Sequence, residues 1–69
     1  MDFAFTAVPT ESGNKYTLGV AHRNQKGFSR VSGFEFETYD GAQARADGFN
    51  ADIGLAKLEA WKIVASTMR

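Results

Sequence analysis

The residues 22–30 gather His22, Arg23, Lys26 and Arg30 around the turn-forming run Asn24-Gln25-Lys26-Gly27, with the aromatic ring of Phe28 among them. Cations and amides beside one aromatic ring can hold phosphates and stack on a base. This hairpin is therefore a candidate nucleic-acid site, set against the plainer explanation that a turn tip is polar to stay solvated. His22 is the only histidine and cysteine is absent. A zinc site or a nucleophile–base pair needs partners of a kind that this chain scarcely supplies, so no metal and no cofactor is expected. Two carboxylate pairs could in principle share acid–base work, Glu35 with Glu37 and Asp47 with Asp52. Glu35 and Glu37 alternate with Phe34 and Phe36, as the solvated side of a strand does, and Asp47 lies off the apolar stripe of its helix. No glycine-rich phosphate cradle of either common spacing occurs. The chain reads as a non-enzyme.

Composition narrows the partners. Eight basic and eight acidic side chains give a formal net charge of +0, so nothing in the whole-molecule field favours tight, salt-sensitive binding to nucleic acid or to an anionic membrane. Nucleic acid is the disfavoured partner. The opening Met1-Asp2-Phe3 lacks the basic start and apolar run of a secretory signal, and no apolar stretch is long enough to span a bilayer. Without cysteine, a reducing, cytoplasmic setting is the expectation. Sixty-nine residues with 43% hydrophobic and 13% aromatic content make one domain, 1–69, able to bury about 60% of its unfolded surface.

The elements that position these side chains follow from periodicity. Phe3, Phe5 and Ala7 alternate with polar or small residues, as do Tyr16, Leu18 and Val20, which predicts two half-buried strands around the loop Pro9-Thr10-Glu11-Ser12-Gly13-Asn14. In the third strand Phe28, Phe34 and Phe36 share one parity while Val31 falls on the other, so a bulge or bend is expected near Ser32-Gly33. From Thr38 the period changes. Tyr39, Ala42, Ala46, Phe49 and Ile53 form a helical stripe with Thr38 as its N-cap, Asp40 in its first turn and Gly54 as its left-handed stop. Gly41 and Gly48 weaken this helix by about 1 kcal/mol each relative to Ala, so it needs tertiary support. A second helix carries the stripe Leu58, Trp61, Val64 or Ala65, and Met68.

The run Phe36-Glu37-Thr38-Tyr39, Ala42, Ala46, Asn50, Gly54-Leu55, then Glu59 through Arg69, resembles the C-terminal half of small uncharacterised proteins in proteobacterial and phage genomes. The resemblance covers about half the chain, and departs from the pattern at Gly41, Gly48 and Ala56. It implies a helix-turn-helix-like pair of packed helices and no established activity. For biological setting, it implies a chain encoded on a phage or other mobile element and acting on a host protein.

The expected fold is α+β, in the order β-β-β-α-α, with a three-stranded antiparallel sheet covered on one face by both helices. Phe3, Phe5, Leu18, Val20, Phe36, Phe49, Trp61 and Met68 are the expected core. Ala4, Val8, Ala21 and Val31 would be left on the open face. The expected function is a small protein-binding module, a homodimer being one form its partner can take. Phe28, Phe34, Val31 and Ile63 are its candidate contact residues, and the 22–30 hairpin is the nucleic-acid alternative.

Overall fold

The computed structural model describes residues 2–68. Three strands, β1 (Phe3–Pro9), β2 (Tyr16–His22) and β3 (Ser29–Phe36), form an antiparallel sheet in the order β1-β2-β3. Two helices follow, α1 (Tyr39–Asp52) and α2 (Lys57–Ser66). The α+β order read from the sequence is the order observed.

Register assigns the two faces. Ala4 lies opposite Ala21, Thr6 opposite Gly19 and Val8 opposite Thr17; in the intervening rows Phe5 lies opposite Val20 and Ala7 opposite Leu18, which in turn faces Val31. Side chains alternate across a strand, so one face carries small and β-branched residues and the other the phenylalanines. Between Leu18 and Tyr16 the register with β3 shifts, from Val31 to Phe36. This is the expected bulge, with Gly33 at φ +92°. The Thr17 hydroxyl bonds the Phe34 carbonyl at 2.8 Å and the Val31 carbonyl at 3.3 Å, occupying acceptors beside the irregularity.

The helices do not share one face. Helix α1 runs beside the outer edge of β1, where Ala42 and Ala46 are fully buried. Its small stripe permits a close approach, and two amides exploit it. Asn50 Oδ1 accepts from Phe5 N–H at 2.8 Å, and Asn50 Nδ2 donates to the Phe5 carbonyl at 2.9 Å. One helical turn pair earlier, Gln43 Oε1 accepts from Ala7 N–H at 3.2 Å. These side chains serve as a partner for an edge strand whose backbone would otherwise go unpaired. On the phenylalanine face Phe49 packs on Phe5 and Phe34, with ring centroids 5.4 and 5.7 Å apart, and the Arg45 guanidinium lies 5.2 Å from the Phe49 ring centre. Leu18 is fully enclosed there.

Helix α2 covers the opposite face. Ala4, Leu55, Ala60 and Ile63 form its core cluster, with Val64 against it. This corrects the expected division: Ala4, Val8 and Ala21 are buried, and the face expected to be open is the one α2 packs on. It also corrects the stripe of α2. Trp61 is 67% exposed and Met68 78%, whereas Ile63 is fully buried. Two apolar stripes of the same period run along this helix. The small side chain of Ala60 lets the Ala60–Ile63 side settle onto Ala4, which the bulky Trp61 side could not do.

Local signals at the helix ends behave as read. Thr38 Oγ1 accepts from Gly41 N–H at 3.0 Å. At the other end Gly54 (φ +78°) donates to the Ala51 carbonyl at 3.0 Å and Leu55 donates to the Asn50 carbonyl at 2.8 Å. That pair of bonds is a Schellman stop, which requires a left-handed residue and delivers Leu55 into the core. No helix among the described residues is long and apolar enough to cross a membrane.

Candidate functional site

Because α2 crosses only part of its sheet face, a cleft of about 870 Å³ remains beside it. Thr6, Val8 and Ala21 contribute its floor, and Trp61 and Val64 of α2 line it with Met68 just past the helix end, as do Phe28 from the segment before β3 and Tyr39 and Gln43 of α1. Phe28 stands where it does because Gly19 leaves room for it. A Cβ at position 19 would fall 2.8 Å from Val8 Cγ1 and 3.3 Å from Phe28 Cδ1. The Arg30 guanidinium lies 5.1 Å from the Phe28 ring centre, and Arg30 Nε donates to the Pro9 carbonyl at 2.8 Å. Phe28 therefore has a fixed seat while 44% of its surface stays open.

The polar groups of the cleft are already engaged with one another. Gln43 Oε1 accepts from Ala7 N–H, from the Thr6 hydroxyl at 3.3 Å and from the Tyr39 hydroxyl at 3.4 Å, while Gln43 Nε2 donates to Asp47 at 3.0 Å. Lys57 reaches Asp47 at a loose 3.8 Å. What the cleft offers a visitor is apolar surface: Phe28, Trp61 and Met68 along it, and Leu58, 64% exposed, at its margin. Contiguous exposed apolar surface of this kind marks interaction sites.

The residues expected at a partner surface are dispersed. Phe28 lines the cleft. Phe34 lies on the opposite face, half-buried, stacked with Phe36 at 6.4 Å and against Phe49. Val31 is half-buried on that same face, opposite Leu18. Ile63 reaches no surface at all, since it is the side chain that α2 buries. Trp61, Leu58 and Met68 take the place it was expected to fill.

The basic group at 22–30 does not converge. His22 is exposed, its ring 6.1 Å from that of Phe3. Arg23 pairs with Glu59 of α2 at 3.3 Å and with Asp2 at 3.7 Å. Asn24 N–H donates to Ser66 Oγ at 2.9 Å, which fastens the turn to α2. Arg30 is engaged with Phe28 and Pro9, and Lys26 is exposed at the tip. The carboxylates of Glu35 in β3 and Glu37 just after it have a partner of their own. Lys15 Nζ lies 3.2 Å from Glu37 and 3.3 Å from Glu35, and its pKa is raised by hydrogen bonds to Glu37 first and Glu35 second, then by their charges. Among the described residues no group of three or more His, Cys, Asp and Glu side chains is placed to hold a metal ion.

No protein-family model, curated protein or solved structure matches the chain.

Proposed function

We propose that this domain is a non-enzymatic docking module that receives apolar side chains of a protein partner in the cleft between α2 and the sheet. The observation that carries the reading is the combination of exposed Trp61, Met68, Leu58 and Phe28 with a cleft whose amide and hydroxyl groups are mutually bonded. A polar substrate would have to compete with those bonds to be oriented. An apolar surface need only displace water. Trp61 has the character of an interface anchor, being large, rigid and central to the patch.

The test uses Trp61 itself, the only tryptophan in the chain. Helical peptides with apolar residues at three- and four-residue spacing are titrated in, and Trp61 emission is followed. A saturable shift to shorter wavelength, lost in Phe28→Ser, is the expected result. Emission that stays unmoved across peptides of varied apolar pattern would overturn the reading.

A further inference from the structure

We propose that the occupant of the groove is the same surface of a second copy of this chain, the two meeting about a two-fold axis with their α2 helices antiparallel. This rests on the docking reading and names its partner. Helix α2 is apolar on two sides. Ala60 and Ile63 face inward, while Leu58 and Trp61 project as a ridge that exposed Met68, just past the helix end, continues along the cleft. The ridge and the cleft lie side by side on one surface. A two-fold rotation of such a surface sets each ridge into the other copy's cleft, so the patch complements itself. A ridge alone, or a cleft alone, would have required a different shape opposite it.

Area and charge agree. Given their fractional exposures, Phe28, Leu58, Trp61 and Met68 together present on the order of 500 Å². Two such patches would remove about 1,000 Å² from water through these side chains alone, where specific interfaces begin. The formal charge is +0, so two copies approach without net repulsion. Lys57 opens α2, the end where a cation is least favoured, and the last turn of α2 holds no basic residue. The antiparallel arrangement moves each Lys57 toward the C-terminal end of the other copy's α2. A small amphiphile is the weaker occupant, since Gln43, Thr6 and Tyr39 are already bonded to one another and would have to share those bonds to orient one.

The test is sedimentation equilibrium of the full chain from about 1 μM to about 1 mM, the range over which weak and moderate affinities appear, with Trp61 emission recorded on the same samples. A reversible monomer–dimer equilibrium is expected, with emission moving to shorter wavelength in step with the dimer fraction. Met68→Lys and, independently, Leu58→Glu should each raise the dissociation constant at least about tenfold while leaving circular dichroism unchanged, as burial at a hot-spot patch requires. A dimer whose emission does not move, and which both variants leave intact, uses another surface and overturns the proposal. So does a chain that stays monomeric throughout. If that monomer still answers apolar helical peptides, the docking reading survives without self-docking; if it ignores them, both fall.

Discussion

Asn50 meets the backbone of Phe5 twice, accepting from its N–H at 2.8 Å and donating to its carbonyl at 2.9 Å, although the two residues stand 45 positions apart in the chain. The side-chain amide copies the donor–acceptor pair of a neighbouring strand and seals α1 to the sheet edge. Asn50 is 2% exposed, so water cannot replace it.

Removing that amide should therefore be among the costliest single changes. Asn50→Ala leaves one donor and one acceptor of Phe5 unpaired and should cost about 2–4 kcal/mol, read from denaturant midpoints. Asn50→Asp sharpens the test through pH. An ionised carboxylate at this place is buried and faces the Phe5 carbonyl, which raises its folded-state pKa above the unfolded value of about 3.9. The penalty of this variant should be small below that pH and grow as pH rises. A penalty independent of pH would contradict the bidentate geometry.

The facing of α2 is tested by a contrasting pair. Ile63→Ala should cost about 2–4 kcal/mol, because Ile63 is fully enclosed with Ala4, Leu55 and Ala60. Trp61→Ser should cost less than about 1 kcal/mol in the monomer despite deleting a far larger side chain. The opposite ranking would return Trp61 to the core.

These two outcomes bear on what was legible beforehand. Strand alternation, the bulge at Ser32-Gly33, the Thr38 cap and the Gly54 stop depend on local chemistry, and all of them could be read. Which parity of β1 a helix would cover could not, because Phe3-Phe5-Ala7 and Ala4-Thr6-Val8 are both apolar enough to be buried. The larger residues drew the core to themselves on paper, whereas Ala4, Ala21 and Ala60 allow the closest approach in space. Helix α2 posed the same problem, with two stripes of one period. The amides Gln43 and Asn50 did leave a trace, since they stand seven residues apart beside the small stripe Ala42-Ala46, a spacing that puts both on the side turned toward a strand edge. Of the four contact residues expected from sequence, Phe28 alone lies at the cleft. The cleft depends on how far α2 extends over the sheet, which periodicity does not encode.

Gly19→Ala should disturb the cleft specifically. The added methyl would press on Val8 Cγ1 and on the Phe28 ring, costing about 1–3 kcal/mol as overpacking does. Phe28 should lose its fixed seat. Hydrogen exchange at residues 27–29 would quicken in this variant; unchanged exchange with unchanged stability would mean Phe28 is not held by Gly19.

Generic nucleic acid should bind poorly. Arg23 and Arg30 are engaged with Glu59, Asp2, Pro9 and Phe28, so few cations remain to neutralise phosphates, and the salt dependence of any binding should be shallow. Fluorescence anisotropy with a labelled duplex and a labelled single strand at about 150 mM salt checks this. Submicromolar binding abolished by changing Arg23, Lys26 and Arg30 to Ala would favour the hairpin as the working surface instead.

The treatment of the two sheet edges limits how this phenylalanine-rich chain can multiply. On one side Asn50 holds the N–H and carbonyl of Phe5 and Gln43 the N–H of Ala7; on the other, the bulge at Gly33 breaks the straight run that an incoming strand would need. Fibrils grow by adding strands to open, regular edges without end. Here neither edge offers a regular template, which disfavours open-ended stacking of strands, and the two-fold contact proposed through α2 would consume both patches and stop growth at a pair.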